Sequence, residues 1–378
     1  MNFDFTPEHE MLKESAREFA RREMLPLVDE YEEKEEFPVH LMKKAGENGF
    51  IGIRYPEEYG GAGLDKIAEC IFLEEINKVC AGMAASIMVQ MSLATYPIFA
   101  RGTEEQKKKY LTPALAGKKI GAFALSEPNA GSDISAIQTR AIKDRNDYII
   151  NGSKLYITNG NIGDYIIVAA YTDKSLKTKG ISLFIVDADT PGITRRKLKK
   201  LGNKSADTAE IFFEDCRVPK ETLLGSREGG IDVILGNLQS GRIGYGARSV
   251  GVAQAAFDAT VSYAKERIQF GTSLSKFQTI RFKLAKMAMD IDTARIYTFY
   301  AAWLYDQKRP CMKEASIAKL YSSEMVQRVT SEAMQIFAGA GYMMEYPIQR
   351  YFRDARLFTI TEGTSEIQHI VIAKELDL

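Results

Sequence analysis

Tyr165-Ile166-Ile167-Val168-Ala169-Ala170 and Ile181-Ser182-Leu183-Phe184-Ile185-Val186 are short apolar runs rich in β-branched and aromatic residues, each bounded by Gly and Asp. Runs this short between turn formers read as strands rather than helices. Ala209-Glu210-Ile211-Phe212-Phe213 has the same texture. Asn151-Gly152, between Tyr148-Ile149-Ile150 and Lys154-Leu155-Tyr156-Ile157, reads as a hairpin turn, because Asn-Gly tolerates the positive φ angles such a turn requires. A small antiparallel sheet or barrel is therefore predicted from Lys118 to about Leu224.

Outward from this block the periodicity changes. From Thr6 to about Ala116 apolar residues recur at three and four, as in Met11, Leu12, Ala16, Phe19 and Ala20, with Thr6-Pro7 as a cap and first-turn proline. Five or six helices are predicted there, broken at Arg54–Gly63 and Arg101-Gly102-Thr103. After Gly229 helical spacing returns in segments around Ile231–Arg267, Leu274–Gln307, Met312–Ala338 and Ile367–Glu375, which suggests a four-helix bundle. The expected organisation is an α+β chain with a helical domain over 1–117, a β-domain over 118–228 and a helical bundle over 229–378.

Composition excludes several classes of function. Fifty Lys and Arg cancel fifty Asp and Glu, which leaves no broad positive field for nucleic acid or an anionic membrane. Hydrophobic residues at 45% and charged residues at 26% fit a folded globular chain. Cys70, Cys80, Cys216 and Cys311 form no Cys-x-x-Cys pair, and His9, His40 and His369 have no ligand spacing, so neither a disulfide framework nor a metal centre is predicted. No run approaches the roughly 20 uninterrupted apolar residues of a membrane span. Met1-Asn2-Phe3-Asp4-Phe5-Thr6-Pro7-Glu8 has no leader character, and the expected location is cytoplasmic.

Two segments carry chemistry. Phe123-Ala124-Leu125-Ser126-Glu127-Pro128-Asn129-Ala130-Gly131-Ser132-Asp133 leaves an apolar run for a loop of small and polar residues, which suits close approach of backbone amides to a ligand and equally suits a plain turn. The second comprises Gln335–Tyr342, Arg350-Tyr351-Phe352-Arg353-Asp354 and Thr361-Glu362-Gly363-Thr364. It reads as a helix end, a connection and a new N-cap at Thr364. Within it, Glu362 stands beside a glycine at a loop-helix junction, where a carboxylate can reach a cleft and act as a base.

Together the segments resemble the acyl-CoA dehydrogenase family over essentially the whole chain, including the helical, β, helical order. Ala124 to Ala136 looks like the family's first signature and Gln335 to Asp354 like its second, with Ala338 where a glycine is usual; that departure is expected to tighten a turn only. The resemblance implies FAD as cofactor and Glu362 as the base that takes the α-proton of an acyl-CoA while the β-hydride goes to flavin N5. It sets Phe123, Leu125 and Ser126 against the isoalloxazine ring and Ser132 nearer the phosphates and substrate. Tyr156 would cover the flavin and Thr158 face N5. Arg267, Phe270 and Gln278 would reach the FAD of a neighbouring subunit, with Gln335 and Gly339 on its adenosine half and Thr364 among the cofactor contacts. A homotetramer, a dimer of dimers, is implied, with an electron-transferring flavoprotein as electron acceptor.

Some members carry the base on the helix that here reads Gln239-Ser240-Gly241-Arg242, just before the arginine; Gly241 cannot serve, which favours Glu362. Arg242 is expected either near the acyl-CoA or in a structural salt bridge. In the acyl pocket, Thr361 stands where tyrosine is expected before the base, which opens room for a branched, cyclic or bulky acyl group, with Gly363 beside it. Arg248 and Phe358 replace smaller residues at the pocket floor. Arg248 either shortens the pocket while turned to solvent or a carboxylate, or binds a polar or anionic far end. The arginine that holds the distal carboxylate in glutaryl-CoA dehydrogenases would fall near Ala84 and is missing, which disfavours glutaryl-CoA unless Arg248 takes over. Rival readings on the same fold are an acyl-CoA oxidase, an enoyl-CoA reductase, or a silent acyl-CoA-binding relative.

Overall fold

In a computed structural model of the chain, residues 4–225 and 230–378 are described. Helices and a central sheet follow the order anticipated above. The domain boundary expected at 228/229 lies outside the described residues.

The N-terminal part begins with α1 (Pro7–Phe19), whose Thr6 hydroxyl accepts from the His9 N–H in a capping box. Through a π turn and a 3-10 turn the chain continues into α2 (Val28–Lys34), and α3 (Val39–Glu47) follows. Next come α4 (Lys66–Val79), α5 (Ala81–Met91) and α6 (Tyr96–Arg101), then two short helices, α7 (Glu104–Gln106) and α8 (Thr112–Leu115). With segments joined by π or 3-10 turns counted as one and the isolated 3-10 turn Glu57–Tyr59 set aside, six helical runs result among the described residues, over 7–34, 39–47, 66–79, 81–91, 96–101 and 104–115. Ala81–Arg101 is, among the described residues, long and apolar enough by length and composition to cross a membrane. However, 78% of its most apolar window is buried inside the protein, because α5 is a core element.

The middle part is a seven-stranded sheet of β1 (Gly121–Ala124), β2 (Arg140–Asp144), β3 (Asp147–Thr158), β4 (Tyr165–Tyr171), β5 (Ile181–Asp187), β6 (Ile193–Lys197) and β7 (Thr208–Pro219). The main path runs β1-β4-β2-β3-β7-β6, with β5 on β4. It is mixed rather than purely antiparallel, since β1 and β2 pair with β4 in parallel. Every residue of β4 is buried, which explains its continuous apolar run.

Asn151-Gly152 is not a turn. β3 runs straight through it, and the hairpin from β2 lies at Arg145-Asn146, with Arg145 at φ 57°. Gly152 serves strand contact instead: a β-carbon there would lie 2.4 Å from Thr139 Oγ1. The Asn151 amide is tied to β7, where its Oδ1 accepts from the Asp215 N–H at 2.9 Å. A pair of turn-forming residues is thus used at a register shift between β3 and β7, a tertiary demand that local turn chemistry does not reveal.

The C-terminal part has three long helices, α9 (Gly230–Glu266), α10 (Gln278–Asp306) and α11 (Met312–Phe337), followed by α12 (Ile348–Ala355) and the ten-residue α13 (Ser365–Lys374). A two-residue ribbon, β8 (Ile268–Gln269) with β9 (Thr272–Ser273), joins α9 to α10. α9 packs on α11, α10 and also α4, so the two helical parts share one core. Gly251 permits the α4 contact, because a β-carbon there would meet the Glu74 carbonyl oxygen at 2.3 Å. Residues of α9 and the C-terminal ends of β1 and β3 line one cleft.

Candidate active site

A cleft of about 270 Å³ lies between the sheet, α5, α9 and the loop before α13. Phe123, Leu125, Ser126, Ser132, Tyr156 and Thr158 line its sheet side. Arg242, Arg248, Thr361, Glu362 and Gly363 line its helical side. Two groups far apart in sequence therefore meet in one space.

On the sheet side, local features aim the residues. Between Lys154 and Ile157 the β3–β7 register shifts by one residue, and Tyr156 occupies the extra position at φ 63°, with 70% of its surface exposed. A bulge re-aims a side chain that regular alternation would send elsewhere. The loop after β1 is pinned by a buried ion pair. Lys154 Nζ donates to Glu127 Oε1 at 2.8 Å and to the Leu125 carbonyl at 3.0 Å. Glu127 also accepts from the Gln138 and Thr139 N–H groups, at 2.5 and 3.0 Å. Burial lowers the Lys154 ammonium to about 8 against the pull of Glu127. Neither residue was anticipated, although a lysine at an inward position of an otherwise apolar strand is a visible signal.

On the helical side, Glu362 and Gly363 are consecutive left-handed residues, at φ 55° and 87°. Three buried donor contacts hold this unusual turn: Lys319 Nζ to the Gly363 carbonyl at 2.7 Å, and Gln368 Nε2 to the Glu362 and Gly363 carbonyls at 3.1 and 3.0 Å. Thr364 does not line the cleft; its hydroxyl caps α13 by accepting from the Ile367 N–H at 3.3 Å. Glu362 Oε2 is buried with no hydrogen-bond partner. Burial pushes the carboxyl above the usual range, while Arg242, Lys319, Arg248 and Lys66 draw it back. A buried carboxylate of raised proton affinity with a free oxygen in a cleft is equipped to take a proton.

Gly241 faces it directly. A β-carbon at position 241 would lie 2.9 Å from Glu362 Oε2, so the helix side leaves no room for a second side chain. Arg242 makes no ion pair among the described residues. It donates to Met312 Sδ at 3.0 Å and Ser316 Oγ at 3.2 Å, and its Nε has no partner. Burial depresses its pKa, and Glu362 opposes that shift.

Arg248 is neither turned to solvent nor paired with a carboxylate among the described residues. It is 1% exposed; its Nε donates to Asn77 Oδ1 at 3.3 Å and an Nη2 to the Ala81 carbonyl at 3.2 Å. The rings of Tyr245 and Phe358, themselves in edge-to-face contact, lie 4.8 and 4.9 Å from its guanidinium carbon. Phe358 is fully buried behind Arg248 rather than lining the cleft. Thr361 leaves less space than its size suggests, because its hydroxyl donates to the Tyr245 phenol oxygen at 2.8 Å and brings that ring to the cleft wall. Tyr245 carried no sequence signal beyond its helical spacing.

Arg267, Phe270, Gln278, Gln335 and Gly339 are exposed and stand apart from the cleft, with Phe270 95% exposed. Ala338 ends α11 at φ 53° and ψ −133°, a conformation suited to glycine. Asn203, on a loop not anticipated as part of the site, also lines the cleft, and Asp354 Oδ1 accepts from its N–H at 2.5 Å. The second sequence motif thus supports the cleft from behind.

Family models described as the N-terminal, middle and C-terminal domains of acyl-CoA dehydrogenase match residues 6–118, 122–216 and 228–376. "Probable acyl-CoA dehydrogenase YngJ" of Bacillus subtilis (strain 168) is 48% identical, with all of both chains covered. The butyryl-CoA dehydrogenase of Megasphaera elsdenii superposes with a TM-score of 0.97 at 41% identity, covering 100% of each chain. A chain solved in work on the electron transferring flavoprotein of Acidaminococcus fermentans and flavin-based electron bifurcation has a TM-score of 0.97 at 44% identity, covering 100% of this chain and 99% of that one. With three models spanning nearly all of its length and full-length relatives at this identity, the chain belongs to the acyl-CoA dehydrogenase family, whose members are FAD-dependent.

Proposed function

We propose that the protein dehydrogenates a short acyl-CoA thioester between its α- and β-carbons, with Glu362 as the base. The observation that carries this reading is the unpartnered, buried Oε2 of Glu362 in the same cleft as Phe123, Leu125, Ser126, Tyr156 and Thr158.

Those sheet-side residues fit FAD. Phe123, Leu125 and Tyr156 offer apolar faces to a flat ring, and Ser126 and Thr158 offer hydroxyls to its polar edge. Beside them, Gly131 has no atom within 4 Å of where a β-carbon would lie, which suits close approach of a phosphate. When bound, FAD supplies the acceptor for the β-hydride, so that the product is a trans-2-enoyl-CoA.

Glu362 takes the α-proton, and its own backbone N–H donates to the thioester carbonyl that must hold enolate-like charge. Arg242 and Lys319 favour the ionised base between turnovers. Beside the α-carbon, Thr361 admits a branched, cyclic or otherwise bulky substituent up to the Tyr245 ring. The exposed set Arg267, Phe270, Gln278, Gln335 and Gly339 serves the FAD of a neighbouring subunit. A tetramer, a dimer of dimers, is supported by exposed Phe282, Met289 and Ile296, which recur every seven residues on α10. An electron-transferring flavoprotein is the proposed acceptor, in keeping with the A. fermentans relative.

Glu362→Gln is expected to keep FAD and lose about 1,000-fold in turnover, the scale of general-base removal; a near-normal rate would sink the assignment. Anaerobic addition of acyl-CoA thioesters should bleach the flavin, and absence of bleaching with any of them would favour a silent binder. Peroxide formation in air measured against reduction of the flavoprotein separates an oxidase from a dehydrogenase. If butyryl-CoA outperforms every branched and cyclic thioester, the roomier α-pocket is wrong.

A further inference from the structure

We infer that Arg248 forms a distal subsite for a carboxylate, so that the acyl group is a short ω-carboxyacyl chain. This rests on the acyl-CoA reading above and names the substrate class for the same cleft.

Arg248 lies seven residues beyond Gly241 on α9. At 100° per residue, seven steps return to the same helical face, and at 1.5 Å per residue they advance about 10 Å along it. Gly241 faces the carboxylate of Glu362 and Arg248 lines the same cleft, so the base and the guanidinium stand at two ends of one space. A chain whose α-carbon meets Glu362 therefore points its far end toward Arg248.

Among the described residues no carboxylate is in direct contact with this cation. Its oxygen contacts are an amide and a backbone carbonyl, and one Nη1 has only Met88 Sδ at 3.9 Å. Two neighbouring aromatic rings stabilise the charge without satisfying its donors. Burying a guanidinium in this way is costly, and a leucine or methionine would close the pocket at lower cost. Glu362 meanwhile feels four cations, Arg242, Lys319, Arg248 and Lys66; among the described residues Lys66 is in direct contact with another carboxylate, Glu69, at 2.5 Å, and Lys319 also feels Glu324 and Glu366, which leaves the two arginines without a carboxylate of their own. A second carboxylate at the far end of the ligand balances this excess and gives Nη1 an oxygen. The arginine performs a selective task that an apolar plug could not.

The test uses FAD-loaded Glu362→Gln, which binds without turnover, and calorimetric titration with matched pairs. Succinyl-, glutaryl- and adipyl-CoA are each compared with butyryl-, valeryl- and hexanoyl-CoA. With Arg248 present, the dicarboxylic member of at least one pair should bind at least about tenfold more tightly, the value of one hydrogen bond to a buried charge. In Glu362→Gln/Arg248→Gln that preference should reverse. The comparison within pairs needs no change at position 248, so it stands even if that variant fails to fold. If the monocarboxylic member binds as well or better in all pairs, the subsite is refuted while the dehydrogenase reading survives. If no acyl-CoA binds at all, both fall.

Discussion

Gly241→Ala is a small change with a calculable consequence. The new β-carbon would stand 2.9 Å from Glu362 Oε2, about 0.5 Å inside the 3.4 Å lower limit of ordinary contact. The carboxylate is the end of a flexible side chain and gives way, moving by about half an ångström. Since misplacement by 1 Å costs about 100-fold in rate, half of that costs roughly tenfold. Stability should move the other way, because alanine is favoured over glycine inside a helix by about 1 kcal/mol, and Gly241 lies within α9. The expected result is slower anaerobic flavin bleaching, by about tenfold, with an unchanged or slightly higher melting temperature and full FAD content. The bleaching rate is measured with whichever thioester is fastest in the unaltered protein. An alanine variant that bleaches at full rate would show that Glu362 does not work from this position. A large fall in melting temperature would show instead that Gly241 is needed for packing.

Lys319→Met removes a cation that favours ionised Glu362, so the acid limb of kcat/KM should move to higher pH; an unmoved limb would limit Lys319 to packing. Burial lowers the Lys319 pKa from its ordinary 10.5 to about 8, so its charged form costs stability below about pH 8 and that penalty fades as pH rises toward 10.5. Any stability gain of the methionine variant in urea should therefore be largest near neutral pH and shrink in alkali. Ala338→Gly should raise the unfolding free energy by about 1 kcal/mol, because alanine is strained at φ 53° and ψ −133°. A destabilised glycine variant would mean that the turn is relaxed as it stands.

Much of the architecture was legible from local pattern. The runs at Tyr165 and Ile181 became β4 and β5 within a residue of their expected ends, because fully buried strands must be apolar throughout. The long C-terminal helices were equally plain from their spacing. Asn151-Gly152 misled because a turn-forming pair can serve a register shift when a neighbouring strand needs to come close. α12 was not visible, since short helices depend on tertiary contacts more than on their own periodicity.

For the site, the sequence by itself singled out the candidate reactive groups: Glu362 beside glycine, the Ser126 loop, and the vacancy for a side chain at Gly241. These are properties of residue type in order along the chain. Tertiary structure alone decided what surrounds them. Lys319 and Gln368 lie far from or beyond the base in sequence yet hold its loop, and Tyr245 enters the space that Thr361 leaves. Arg248 was ambiguous as a residue type, because arginine belongs at the surface by default; only the fold shows it buried against two rings, with no carboxylate in contact among the described residues. The physical reason is that burial and charge compensation are sums over neighbours brought together by folding, and no local stretch of sequence contains that sum.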